Sequence, residues 1–463
     1  MERNLLNALK DASDRIRRHV EGESVISIVS HRDADGVAAA GILGAALLRL
    51  DSPFRIRVIR GITERVVDQL KEEEAPIIVF IDLGSGYLDL IKERLEKTEV
   101  VILDHHKPVN TPVPRRVAHV NPRLFGFDKG YEISGAGITY LLSRALSEEN
   151  DDLSWLAVVG ALGDLQDRNR RLHSINRIIA ERAARKGLLD IATDLVFYGR
   201  ETRPLSKSLA YTTNPFLPGL SGREDRCVAL LQDSGIRLKE GGRWRTLSDL
   251  STQERRDLLA AIAKFLAPMR IDLFKLIGEV YTLLKEEPFT LFRDAREYSS
   301  LLSACSRMER QGLAVSICLG SRTGALKEAE SVVADCRKRL AGCIEWVMEG
   351  NIKKLENVYV IDGRGVIGED FIGTVTSIVA SIFPDKVVIG LANADEEDDL
   401  AKVSARASES LAKSDVNVGE VIINAAESVK GRGGGHEAAA GAYIPQAGGE
   451  EFIRKCNQLL GAL

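Results

Sequence analysis

The chain has 463 residues, of which 44% are hydrophobic, 28% charged and only 5% aromatic, and a net charge of −4. Such a length suits two or three domains, each with its own core, and the weak negative charge argues against a broadly basic coat while leaving room for a local basic channel. No run approaches about 20 apolar residues, so no membrane-spanning helix is expected; residues 1–20 mix charges with an apolar stripe, unlike a signal peptide, and a cytoplasmic protein is expected.

From residue 1 to about 195, apolar runs at 25–30, 55–60, 77–81 and 99–103 alternate with helical patterns at 4–20, 36–50, 63–74, 86–96, 134–147, 152–161 and 174–187. The alternation predicts an α/β domain whose mostly parallel sheet carries helices on both faces. In that architecture ligands bind beyond the carboxyl ends of the strands. Acidic and imidazole groups cluster there four times. His31, Asp33 and Asp35, ahead of Gly36, follow the run 25–30; Asp82 follows 77–81; Asp104-His105-His106 ends 99–103; and Asp164 closes Val158-Val-Gly-Ala-Leu-Gly.

Carboxylates beside an apolar core are costly unless a positive charge neutralises them. Asp33 alone would suit a helix cap and Asp82 a turn, but together with Asp35, Asp104, Asp164, His31, His105 and His106 they point to divalent cations. The mixed carboxylate and imidazole set suits Mn2+ or Mg2+, and Zn2+ also fits; a thiolate site is excluded, because no Cys lies in the first 226 residues. Two cations about 3.5–4 Å apart, bridged by a carboxylate and a water, are suited to phosphoester hydrolysis.

From about 196 to 308 the pattern changes to a helical connecting or inserted module. Pro204, Pro215, Pro218 and Gly219 interrupt its start, and Ser251-Thr-Gln-Glu254 is a capping box for a helical stretch over 252–284. Between Val196 and Thr246 nine Lys or Arg stand against five acids, interspersed with Tyr198, Tyr211, Phe216 and Trp244, a mixture that suits single-stranded nucleic acid. Residues 309–463 return to a smaller mixed α/β domain, with strands expected at 313–318, 358–362, 386–390 and 402–408 and a solvated acidic turn at 395–399. Gly433, Gly434 and Gly435 precede His436 and Glu437-Ala-Ala-Ala440, which reads as a glycine loop opening a helix and facing an anion with its amides. The six cysteines form no CxxC pair and read as reduced core residues.

The four clusters in this order, followed by Gly433-Gly-Gly-His436, resemble the DHH phosphoesterase superfamily with its DHHA1 substrate-binding domain. Within it they are most similar to the archaeal RecJ-like exonuclease branch, some of whose members associate with the GINS replication complex. The resemblance covers about the first 195 and the last 155 residues. It departs from several relatives at His31, which lies two residues rather than four before the first aspartate.

The resemblance implies that His31, Asp33, Asp35, Asp82, His105 and Asp164 hold metal, with Asp82 as the bridge. Asp104 either ligates directly or orients an imidazole. His106 supports the site or touches the substrate phosphate, and Arg406, Gly433, Gly434, Gly435 and His436 hold substrate in a cleft between the two domains. The implied activity is hydrolysis of single-stranded DNA, with RNA as a further substrate, by a water that two cations activate. The chemistry then falls to Asp33, Asp35, Asp82, His105, His106 and Asp164. Two alternatives remain open: a pAp phosphatase or short-oligonucleotide hydrolase, and a Cdc45-like replication scaffold that binds GINS.

Overall fold

The computed structural model describes residues 2–127, 129–212, 217–267, 273–395, 397, 399–408, 411 and 417–461. They form two compact units, Met1–Val333 and Ala334–Leu463.

In the first unit, β1 (Ile26–His31), β2 (Phe54–Ile59), β3 (Ile77–Ile81), β4 (Glu99–Leu103) and β5 (Val117–Val120) make a parallel sheet in the order β2-β1-β3-β4-β5. Around it stand α1 (Glu2–Glu21), α2 (Ala34–Arg49), α3 (Glu64–Glu72), α4 (Leu88–Arg94), α5 (Gly135–Leu146), α6 (Ser154–Gly163) and α7 (Ser174–Arg185). The all-apolar Ile-Ile-Val-Phe-Ile of β3 is buried along its whole length, as a central parallel strand covered on both faces requires. The four expected strands lie within a residue of their predicted places. β5, only four residues long, has too short a pattern to be read from the sequence.

The chain adds β2 on one side of β1 and then returns to place β3 on the other, which makes the β1/β3 boundary a switch point where a crevice opens. Ser30 pairs with Ile81 and Ile81 with Leu103. His31, Asp82 and Asp104 therefore leave three adjacent strands side by side. Behind them, α2 starts immediately after Asp33 and is buried on nearly every side. Gly36 in its first turn is needed because a Cβ there would stand 2.2 Å from the His31 carbonyl oxygen.

The connecting stretch contains α8 (Leu205–Ala210), α9 (Glu224–Asp233) and α10 (Thr252–Leu266), which close on a separate core that includes Phe197, Leu209, Leu220, Cys227, Leu231 and Ile262. The Ser251/Glu254 capping box is formed. Pro215 and Phe216 lie outside the described residues. The helix expected over 252–284 stops at Leu266, and Ile277–Leu283 is instead a strand paired antiparallel with Leu189–Leu195; its Val280-Tyr-Thr282 segment is β-branched and aromatic, and the pairing settles its conformation. The strand expected over 313–318 is likewise a helix, Gln311–Cys318. A short apolar run does not separate buried helix from buried strand, and here Cys318 packs against Gly41 of α2, where a Cβ would come within 2.3 Å of it. That packing keeps residues 309–333 with the first unit, so the division falls at Val333/Ala334.

The second unit is built on a separate mixed sheet containing Lys353–Lys354, Val358–Asp362, Val387–Asn393, Leu400–Arg406, Arg432–Gly435 and Ala439–Pro445. Val358–Asp362 and Val387–Asn393 run parallel, and the remaining pairs are antiparallel. Asp395, Glu397 and Asp399 of the acidic turn are exposed, and residues 396 and 398 lie outside the described set. The glycine loop and helix expected at 433–440 form a β-hairpin instead. Gly433, Gly434 and Gly435 pair with Ala442, Gly441 and Ala440, and His436 to Ala439 make the turn. Once Ala439–Pro445 pairs with Leu400–Arg406, its small residues become a sheet interior rather than a helix start. All six cysteines are free and buried. Among the described residues, no helix is long and apolar enough to cross a membrane.

Candidate metal centre

The side chains from the ends of β1, β3 and β4 and from α2 and α6 converge. Asp82 has left-handed backbone (φ 60°) directly after β3, its amide donating to Leu103 O at 2.8 Å. Its carboxylate is 1% exposed, and among the described residues neither oxygen has a hydrogen-bond partner. Three imidazole nitrogens face it: His105 Nε2 at 3.1 Å, His31 Nδ1 at 3.5 Å and His106 Nδ1 at 3.9 Å. Gly135 makes room for this carboxylate, since a Cβ there would stand 2.7 Å from Asp82 Cβ and Oδ1.

Each remaining carboxylate is held from behind. Asp33 caps α2 through the Gly36 amide at 2.9 Å and faces His31 Nδ1 at 2.9 Å. Asp35, fully buried, accepts the amides of Gly135 at 2.6 Å and Ala136 at 3.0 Å, in the first turn of α5, where the helix dipole favours an anion. Asp164, at the end of α6, lies 3.5 Å from His105 Nε2, and Asp35 lies 3.9 Å from the same nitrogen.

Asp104 has both oxygens engaged. Oδ1 accepts from the His106 amide at 3.1 Å and pairs with His106 Nδ1 at 2.8 Å, while Oδ2 accepts the Ser85 amide at 2.8 Å. Three overlapping groups remain that could each hold an ion: His31, Asp33 and Asp82; Asp82, His105 and His106; and Asp35, His105 and Asp164.

Without a cation these groups share protons. Burial acts to lower the imidazoles, but Asp33 and Asp82 lift His31 well above its ordinary value. Asp82, Asp164 and Asp35 likewise hold His105 at about 10 against burial, and Asp104 and Asp82 raise His106. Burial, together with Asp82 and Asp164, pushes Asp35 well up. Burial brings Asp164 to about 6 despite His105. Burial also opposes the charged forms of Asp33 and Asp104, yet His31 and His106 hold them below the usual carboxylate range. Buried carboxylate oxygens that meet little besides the imidazole nitrogens His31 Nδ1 and His105 Nε2 fit divalent cations, whose binding would displace the shared protons.

The N-terminal domain of the DHH family matches residues 25–163, the DHH-CID domain 197–271 and the DHHA1 domain 360–462. The chain is a RecJ-like member of the DHH/DHHA1 superfamily. Uncharacterized protein MJ0831 of Methanocaldococcus jannaschii is 30% identical to it over 446 residues, 94% of this chain and 93% of that protein. The crystal structure of RecJ from Thermus thermophilus in complex with Mn2+ has a similar fold (TM-score 0.61, 17% identity); the match covers 98% of this chain and 55% of that one. CDC45 from Entamoeba histolytica is similar in fold as well (TM-score 0.66, 12% identity), over 98% of this chain and 99% of that one.

In the DHHA1 unit of this RecJ-like protein, Arg406 ends its strand opposite Ala439, next to the turn that begins at His436. Its guanidinium donates to Ser377 Oγ at 3.1 Å and to the carbonyls of Ala405 at 2.8 Å and Ala440 at 3.2 Å, and burial lowers its pKa. The three glycines are exposed on the edge strand, and His436 is exposed at the start of the turn that follows.

In the connecting module the basic excess is partly internal. Arg200 pairs with Asp194 and Arg245 with Glu254, all in the interior or close to it. Trp244 and Tyr211 remain about half exposed, with Lys239 4.2 Å from the Trp244 ring centroid and Arg203 4.8 Å from that of Tyr211.

Sequence reading missed the residues that support the ligands. Ser85 Oγ bonds His119 Nε2 and Asn121 Nδ2, each at 2.8 Å, and Asn121 Nδ2 also donates to the His106 carbonyl. Arg123 Nε donates to the His105 carbonyl at 2.9 Å. Their one signal is position: Ser85 lies just beyond β3, His119 within β5 and Asn121 and Arg123 just beyond it, and β5 itself was not legible.

Proposed function

We propose that this chain is a metal-dependent phosphodiesterase of RecJ type, a single-strand exonuclease that releases mononucleotides from DNA, and from RNA as a further substrate, in replication or repair. The observation that carries the reading is the shared position of Asp82 and His105, each belonging to two of three overlapping ligand groups. That sharing is what a pair of cations with one bridging carboxylate needs, and the ligand chemistry favours Mn2+, with Mg2+ as the alternative. When bound, the cations supply Lewis-acid stabilisation of the phosphate charge and a lowered pKa for an attacking water.

The chain's own groups do the rest. Asp82, Asp33 and His31 define one subsite, and Asp35, Asp164 and His105 the other. Asp104 fixes the His106 ring through Nδ1, which leaves Nε2 of this half-exposed imidazole free for the cations or a substrate phosphate. Arg406, Gly433, Gly434, Gly435 and His436 would bind the substrate phosphate. The exposed Trp244 and Tyr211, each beside a cation, supply base stacking on the connecting module.

A scaffold reading, with GINS as partner, is favoured by the fold likeness to CDC45. Against it stands the intact ligand set. The test is digestion of 5′-labelled and 3′-labelled single strands of DNA and RNA with Mn2+. A ladder of mononucleotide loss from one end is expected. Release of terminal phosphate from an uncut strand would make the protein a phosphatase, and no product together with tight GINS binding would make it a scaffold.

A further inference from the structure

Two buried amide side chains outside the ligand set tie part of it together. Gln166 and Asn176 are 1% and 2% exposed. Gln166 Nε2 donates to Asp164 Oδ2 at 2.7 Å and lies 3.4 Å from His105 Nδ1. Its Oε1 accepts from Asn176 Nδ2 at 2.6 Å, and Asn176 Oδ1 accepts the amide of Ser134, the cap of α5, at 3.2 Å. The next two amides of that helix, Gly135 and Ala136, are the pair that grips Asp35. The orientation of Gln166 is dictated by chemistry, because the reverse would set its oxygen against the Asp164 carboxylate and its NH2 against that of Asn176.

The local backbone is bent to make this contact. After α6 the chain reverses in one turn, with Leu165 N bonded to Leu162 O at 3.2 Å and Gln166 N to Ala161 O at 3.0 Å. This turn normally uses glycine at the left-handed position. Here that position is Leu165, with φ 55° and a side chain 80% exposed. A non-glycine residue in this conformation is strained, because its Cβ crowds the following carbonyl oxygen. The turn brings Gln166 back to the carboxylate two residues before it.

We propose that Gln166, braced by Asn176, is a positioning residue for the Asp35–His105–Asp164 subsite. It fixes Asp164 to the same helix end that fixes Asp35, so that both carboxylates face one cation. The inference rests on the two-cation reading above and adds that one subsite depends on these amides while the His31–Asp33–Asp82 subsite does not.

The experiment is titration of the full chain with Mn2+ alone, followed by calorimetry and by electron paramagnetic resonance, for wild type, Gln166→Met and Asn176→Ala. Wild type should take two ions. Gln166→Met should take one with unchanged affinity and the second about 10–100-fold more weakly, with melting of the metal-free chain little altered. With single-stranded DNA, kcat should fall more than KM rises. Asn176→Ala, which leaves the Gln166 amide in place but unbraced, should weaken the same ion less, and it carries the test if Gln166→Met does not fold. Wild-type affinity for both ions in either folded variant overturns the proposal. A wild type that takes one ion refutes the two-cation reading instead, and the role of Gln166 then stands or falls on whether its replacement weakens that ion.

Discussion

Replacing Asp82 by Asn tests the centre at the carboxylate that two ligand groups share. Asn keeps the shape and tolerates the left-handed backbone at φ 60°, while removing a charge whose oxygens have no hydrogen-bond partner among the described residues. The metal-free variant should therefore melt close to wild type, since one charge leaves a crowded set of buried carboxylates. With Mn2+ at 100 times the wild-type Kd, binding at one site stabilises the native protein by about 2.7 kcal/mol. A variant whose affinity falls about 100-fold gains only about 0.4 kcal/mol at the same concentration. In a unit of this size 1 kcal/mol moves Tm by about 1.4 °C, so the gap of about 2.3 kcal/mol is read as about 3 °C in scanning calorimetry. Turnover of a labelled single strand should fall at least about 100-fold, the scale of losing one group that stabilises transition-state charge. A variant that keeps the Mn2+-induced rise in Tm, or keeps turnover, would refute the bridging role.

Gly135→Ala should displace Asp82 through the 2.7 Å clash, with a loss of about 1–3 kcal/mol in denaturant unfolding and a smaller Mn2+-induced stabilisation; no change in either measurement would show that the contact yields freely. Away from the centre, burial and the neighbouring Asp294 raise the Glu297 carboxyl to about 7. The protonated form is the one favoured in the native state, so its contribution is fully present below pH about 4.5 and is lost as pH rises towards 7. Glu297→Gln should accordingly flatten the pH dependence over that window and stabilise the protein at pH 8 on the order of 3 kcal/mol; urea unfolding at both ends of the window checks this, and parallel profiles for variant and wild type would count against it. Ser251→Ala removes the side chain that accepts the Glu254 amide at the start of α10 and should cost about 1 kcal/mol in the same assay, while an unchanged unfolding midpoint would mean the cap contributes nothing.

Much of the first unit was legible along the chain because parallel strands buried on both faces are written as continuous apolar runs, and β1, β3 and β4 stop where charge begins. His31, Asp33, Asp35, Asp82, His105 and Asp164 could be picked out for the same reason, since a carboxylate or imidazole at a buried strand end needs a partner. Short apolar runs were less informative. Leu313–Cys318 and Ile277–Leu283 have no periodicity long enough to choose between helix and strand, and packing on α2 in one case and pairing with Leu189–Leu195 in the other made the choice.

Local sequence thus determined which groups arrive at the carboxyl edge of the sheet, because strand length and burial are encoded within a few neighbouring residues. What each group does on arrival was decided by contacts between distant segments. Asp104 spends one oxygen on the Ser85 amide, the glycine run became a sheet edge because Ala439–Pro445 found a partner strand, and Asn176 joined Gln166 to the Ser134 amide at the start of α5. Hydrogen bonds between residues far apart in the chain leave no periodic trace in sequence, so those roles appear only when the chain is folded.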